Sequence, residues 1–258
     1  MDKPNTRSHE TSIEIRATPA EIWKTITEAE EIARWFAPEA SVTPGEGGKM
    51  TISWGGGMEI THNISTWEPN QHLRTEAETP RAPSAAPECL ALLAVDYYIQ
   101  AKDGGTAVLR VVQSGYPNDA AWDGEFDGTK HGWQLFLLVL KHAIEVHKGK
   151  KSFHASLYEP FAGEGRTQQS AWTHLHDQGL PMMGPLSIMA GREPHEILVI
   201  SKDWNDAVVW FTVSKSYIAA SLITYGIEEP AFESAKEQVQ SVLGNVAGKA
   251  EAEKAPVS

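Results

Sequence analysis

The chain has a single cysteine, Cys89, among its 258 residues. An internal disulfide is therefore excluded, and a lone thiol fits a reducing compartment, so a cytoplasmic location is expected. Cys89 follows Pro87-Glu88 with no cationic neighbour, and it reads as an ordinary thiol. Basic charge is in deficit: Lys plus Arg is 22 against 34 for Asp plus Glu, a net charge of −12. Such a surface repels phosphate backbones and anionic headgroups, which argues against nucleic acid and membrane partners. A run such as Leu135 to Leu140 falls far short of the roughly 18 apolar residues that span a bilayer. Met1 to Glu10 is polar and lacks the apolar stretch of a signal peptide.

Catalytic signatures are equally scarce. Gly45-Glu46-Gly47-Gly48-Lys49 lacks P-loop spacing and is followed by Met50, where a magnesium-binding Ser or Thr would stand, so it reads as a turn. Gly55-Gly56-Gly57 reads the same way. There is no HExxH and no Cys/His cluster, and His174 and His176, two apart, cannot share a helix face. No metal and no cofactor is expected. No GxSxG elbow or defensible Ser-His-Asp order is present, so enzyme activity is left open with the balance against it.

Apolar residues make up 41% of the chain, enough for a real core, and nine are tryptophan. Residues 1–10 read as a flexible polar tail. Ser12 to Arg16 alternates, with Ile13 and Ile15 on one face, as in a half-buried strand. Thr18-Pro19-Ala20-Glu21 is a capping box with Pro at the first helical position, and Ile22, Trp23 and Ile26 supply the helix stripe. Thr27-Glu28-Ala29-Glu30 reads as a second box, opening a short helix that buries Ile32, Trp35 and Phe36. Strand patterns follow at 49–54, 58–66, 73–78, 90–100 and 106–114, separated by Gly, Pro and Asn turns, with 79–87 as a Pro-rich loop. Residues 116–128 read as a connection. Thr129 to Val146 is a helix on which Trp133, Phe136, Leu137, Leu140 and Ile144 recur at helical spacing. A meander needs a cover for its apolar face, and this helix is the obvious one.

The segments Ala17 to Pro38, Ile64 to Leu73, Gly104 to Pro117 and Gly128 to Glu145 resemble, in that order, the SRPBCC (START-like, helix-grip) superfamily in the branch named for activators of the heat-shock-protein-90 ATPase. The resemblance implies an α+β helix-grip fold over residues 11–148: a curved antiparallel sheet around a long C-terminal helix, with two short helices after the first strand. Such a fold tends to leave a hollow that takes apolar ligands. It also implies a chaperone partner as an alternative function, and it does not by itself give chemistry.

Gly149-Lys150-Lys151 marks a boundary. Residues 149–243 read as a smaller α+β domain: strands at 153–158, 186–190, 196–201 and 208–218, helices at 167–177 and 230–243, then a flexible tail at 244–258. Glu59-Ile60 precedes Trp67 by the spacing at which Glu196-Ile197 precedes Trp204, and Trp172 in its helix matches Trp23. The second half therefore reads as a truncated, diverged copy of the first. A copy so short has a shallow core, expected to pack on the first domain or on a second subunit as a homodimer.

The leading functional expectation is an apolar or aromatic small molecule held between the sheet and the long helix, lined by Trp35, Phe36, Trp54, His62, Tyr98, His131, Trp133 and Leu137. His62 shares its strand face with Met58, Ile60 and Ile64; it is either a hydrogen-bonded core histidine or a polar anchor in the cavity. Asp96, Tyr98 and Arg110 sit on the two long strands with ambiguous facing. A surface reading is favoured, since a buried charge is costly without a partner. The third expectation, a cyclase- or hydrolase-like enzyme, requires at least two of His62, Asp96, Tyr98 and His131 to converge within hydrogen-bond reach inside the cavity.

Overall fold

The computed structural model describes residues 6–80, 90–162 and 165–248; Cys89 and most of the Pro-rich loop lie outside them. The chain divides into two units, Met1–Lys148 and Gly149–Ser258. No helix among the described residues is long and apolar enough to cross a membrane.

The first unit runs β1 (Thr6–Ile15), α1 (Pro19–Thr27), α2 (Ala29–Ile32), β2 (Glu39–Thr43), β3 (Lys49–Gly55), β4 (Met58–Glu68), β5 (His72–Pro80), β6 (Leu90–Ala101), β7 (Ala107–Pro117) and α3 (Asp123–Glu145). Its strands form one antiparallel sheet in the order β1-β7-β6-β5-β4-β3-β2. The pleat puts alternate residues on the inner face: Leu93, Val95, Tyr97 and Ile99 of β6 and Ala107, Leu109 and Val111 of β7 are buried there. Against them α3 turns Trp133, Leu137, Leu140 and Ile144, all buried, a stripe at steps of four, three and four. The helix is held at both ends. Thr129 meets His9 and Tyr116, and Arg16 reaches Glu145 at 3.2 Å. Arg34, 8% exposed, donates to the backbone oxygen of His147 just past the end of α3. The helix-grip architecture is therefore present.

At the start of α1 the Thr18 hydroxyl accepts from the Glu21 amide at 3.3 Å, and the Glu21 carboxylate accepts from the Thr18 amide at 2.7 Å. Lys148 and Thr18 together hold the Glu21 carboxyl down at about 2. Thr18→Ala is expected to cost about 1 kcal/mol, read as a lower urea midpoint with unchanged slope.

Several expectations are corrected. Thr6 to Glu10 are not tail but strand, pairing with β7 from Thr6 opposite Pro117. They are polar, so periodicity carried no signal. The short edge strand β2 went unseen because only Ala40 and Val42 of its five residues are apolar. The second capping box does not form: α2 has Glu28 at its N-cap with no side-chain bond, and Thr27 donates back to the Trp23 carbonyl at 2.6 Å. The long helix starts at Asp123, through Gly124 and Gly128; buried Trp122 packs there with Tyr116 and Phe126, and tertiary packing overrides the glycine cost.

The second unit runs β8 (Ser152–Pro160), α4 (Gln168–His174), β9 (Leu186–Arg192), β10 (Glu196–Ser201), β11 (Ala207–Val213), β12 (Tyr217–Tyr225) and α5 (Glu229–Ala247). The sheet order is β8-β12-β11-β10-β9. Val199, Val209, Phe211, Ala220 and Leu222 form one core with Phe232, Val239, Val242 and Val246 of α5. The single strand expected at 208–218 is two strands, reversed over Ser214–Ser216 without Gly or Pro to mark the turn. Residues 244–247, expected as tail, continue α5, which ends at Gly248 in the left-handed region (φ 87°).

Both units repeat one connectivity: first strand, helix, antiparallel meander, long helix, with the first strand seated beside the last. Thr167 caps α4 through a second capping box, with Ser170, and Trp172 follows Thr167 at the same offset as Trp23 follows Thr18. The Glu-Ile/Trp spacing does not belong to this correspondence. It sets β4 against β10, whereas counting from the shared first strand sets β5 against β10.

Candidate functional site

The concave face of the first unit carries an aromatic cluster at the junction of α2, β3, β6 and α3. The Phe36 ring stacks on Trp133 at 5.6 Å and meets Phe136 at 4.6 Å, Trp35 at 5.0 Å and Trp54 at 5.5 Å. Tyr97 abuts Trp133 edge-on at 5.6 Å. Each indole N–H has an acceptor: Trp35 donates to the Thr25 carbonyl, Trp54 to the Phe36 carbonyl and Trp133 to Gln113 Oε1 at 2.7 Å. Trp35, Trp133 and Leu137 are buried. At these three residues the expected hollow is packed core. Phe36, Trp54 and Phe136 are only half-buried, so aromatic surface remains open at one side of the cluster.

His62 lies on the same face, opposite Met50 on β3 and in line with Ile60 and Ile64. Its Nδ1 is sealed from solvent and has no hydrogen-bond partner among the described residues. Burial alone pulls its pKa from 6.5 to about 4, so the ring is neutral at physiological pH. The hydrogen-bonded reading of His62 is thereby overturned for this nitrogen.

Tyr98 does not join this face. With Asp96 it lies on the opposite side of the sheet from Tyr97 and Ile99, because strand parity separates them. There Asp96, 4% exposed, accepts from His72 Nε2 at 2.8 Å and from Arg74 Nη1 at 2.5 Å. The Tyr98 ring stacks on His72 at 4.3 Å, and Arg110 covers Tyr98 at 4.3 Å while reaching Glu10 at 3.2 Å. Asp96 pairs with His72 and Arg74 rather than across to Arg110, and the rings stacked around it explain how a carboxylate is buried on an outer face. His131 sits near the start of α3 with Nδ1 at 2.7 Å from the Asp127 carbonyl of its own helix. Tyr98 Oη also lies 3.5 Å from Asp96 Oδ1, but this pair is on the outer face, away from His62 and from His131. No two of His62, Asp96, Tyr98 and His131 meet inside the cavity, and the acid–base site assembled from them is withdrawn.

A polar group the sequence reading missed sits beside α3. His9 Nε2 lies 3.1 Å from Thr129 Oγ1, and Tyr116 Oη lies 2.5 Å from the same oxygen. Gly115 makes this arrangement. It is the extra residue where Arg7 pairs with Tyr116 but Ser8 pairs with Ser114, and at φ 96° the bulge turns Tyr116 inward. A Cβ at Gly115 would meet the Leu92 carbonyl oxygen at 2.3 Å. Only the tail reading of residues 1–10 stood in the way of finding His9.

Open volume of about 660 Å³ lies elsewhere in this unit, in a groove beside α1 and α2. Trp23, Trp67 and Pro44 form its walls, with Lys24, Glu28 and Glu30 at the rim. None of the eight expected ligand residues lines it.

A family model described as Activator of Hsp90 ATPase homolog 1-like protein matches residues 16–145. No curated protein matches the chain. Among solved structures, protein MLL2253 from Mesorhizobium loti is 22% identical with a TM-score of 0.48, over 54% of this chain and 97% of that one. The Aha1 dimer from Colwellia psychrerythraea is 18% identical with a TM-score of 0.46, over 55% of this chain and 99% of that one. The di-domain ARO/CYC BexL from the BE-7585A biosynthetic pathway is 12% identical with a TM-score of 0.45, over 97% of this chain and 100% of that one.

Proposed function

The chain belongs to the family of Activator of Hsp90 ATPase homolog 1-like proteins, and from that premise we propose that its first unit binds an aromatic or apolar small molecule carrying one hydrogen-bonding group. The observation that carries this reading is the buried Nδ1 of His62, without a partner among the described residues, on the sheet face that also holds half-buried Trp54 and is covered by the half-buried rings of Phe36 and Phe136. A buried polar atom without a partner costs about 1–3 kcal/mol, and a ligand's polar group is one way to recover it. Because the ring is neutral, it suits an uncharged group such as an amine N–H or a hydroxyl.

The test is a titration of the full chain with the neutral fluorophore N-phenyl-1-naphthylamine. Saturable binding is expected, weakened about tenfold in His62→Leu, the loss of roughly one hydrogen bond. The same substitution should raise the stability of the unliganded protein by about 1 kcal/mol, since it removes an unsatisfied buried nitrogen. Equal binding by wild type, His62→Leu and Trp54→Ala would count against the site. Native mass spectrometry of protein from its own host reads bound ligand and subunit number together, and so also tests the homodimer.

The second reading, interaction with a chaperone of the Hsp90 type, is favoured by the family's description and by the acidic charge of −12. Failure to stimulate the ATPase of a purified Hsp90 homologue, together with no co-elution, ends it.

A further inference from the structure

The groove beside α1 and α2 borders the His62 face, since Val42 among its lining residues is in register with Met50 and through it with His62, but it contains none of the residues of the concave-face site and has a different chemistry. Trp23 and Trp67, both half-buried, meet at 5.0 Å with their planes at 78°, so two indoles form a corner beside Pro44. A volume of about 660 Å³ lies within the roughly 300–1,000 Å³ of small-molecule sites.

Three charged side chains line the rim: Lys24, Glu28 and Glu30. Lys24 is engaged, its ammonium 3.5 Å from the Glu28 carboxylate, which leaves the Glu30 carboxylate as the net charge of the rim. The helix termini do not alter this sign. The negative end of α1 and the positive end of α2 meet at Glu28 and offset each other. Indole faces attract cations through their quadrupole, and an excess carboxylate adds to that attraction. An anionic ligand would face both the indole faces and Glu30, with its one cation already paired.

We propose that this groove binds a small organic cation, an ammonium group attached to an apolar or aromatic body. The body lies against Pro44 and the indoles, and the ammonium is held between an indole face and Glu30. The net charge of −12 raises the local concentration of such ligands.

The experiment is a titration of the full chain with benzyltrimethylammonium, followed by the indole N–H resonances. The Trp23 and Trp67 signals are assigned by their disappearance in Trp23→Phe and Trp67→Phe. Saturable shifts confined to those two signals are expected. Glu30→Gln, an exposed change that leaves the fold intact, should weaken binding about fivefold, and benzyl alcohol, uncharged, should bind about tenfold less well, the range of an exposed to partly desolvated cation–π contact. Equal binding of benzyl alcohol, an unchanged affinity in Glu30→Gln, or shifts at the Trp54 and Trp133 indoles instead would overturn the proposal. His62→Leu should leave this binding unchanged, so failure here and failure of the concave-face reading are told apart.

Discussion

Lowering the pH from 7 to 4 is expected to destabilise the first unit by about 3 kcal/mol through His62 alone. An unfolded imidazole titrates near 6.5, whereas burial holds His62 at about 4. Between these values the unfolded chain binds a proton that the folded one refuses, so stability falls as pH drops through 6.5 and levels off below 4. His9 acts in the same direction: burial first, then Lys130 and His131, lower it to about 4. Glu125, raised by burial, opposes them, because its folded form takes up a proton more readily. Glu21, held at about 2 instead of the usual 4.5, loses its contribution as pH falls from about 4.5 to about 2, so it adds little before the acid end of this interval. Urea unfolding at pH 7, 5.5 and 4 separates these effects. Wild type should lose about 3 kcal/mol more than His62→Leu over this interval; parallel losses in the two proteins would show that His62 is not the group responsible.

Trp133→Ala is expected to cost about 3–5 kcal/mol, the range for deleting a buried aromatic ring from a packed core. The ring is 6% exposed, stacks on Phe36, abuts Tyr97 and donates to Gln113 at 2.7 Å. Trp133→Phe keeps most of the ring and leaves Gln113 Oε1 without its donor, for about 1–2 kcal/mol. Calorimetry with near-ultraviolet circular dichroism reads both. If Trp133→Ala melted within a degree of wild type, α3 would not be gripped by the sheet, and the concave-face site would lose its frame.

The legible parts of this chain were those in which one residue type answers to one local rule. Thr18, Pro19 and Glu21 specify a helix start through their own hydrogen bonds and ring geometry, and they form it. The same pattern at Thr27 and Glu30 did not, because Thr27 lies within α1 and its hydroxyl finds the carbonyl one turn back. Strands with an apolar pattern, alternating at 49–54 and continuous at 197–200, were readable; Thr6 to Glu10 were not, since an edge strand paired on one side needs few apolar residues.

By itself the sequence determined the order of helices and strand-rich stretches in both units, the α3 stripe and the acidic charge. Each follows from spacing or composition that neighbours along the chain already contain. The tertiary structure alone decided which side of the sheet each polar residue takes and which rings close the core. Asp96 and Tyr97 are adjacent in sequence and lie on opposite faces, one among charges and the other against Trp133. Where both faces of a strand are apolar enough to be buried, as in β6, periodicity is silent, and only the partners that arrive from distant positions choose between them.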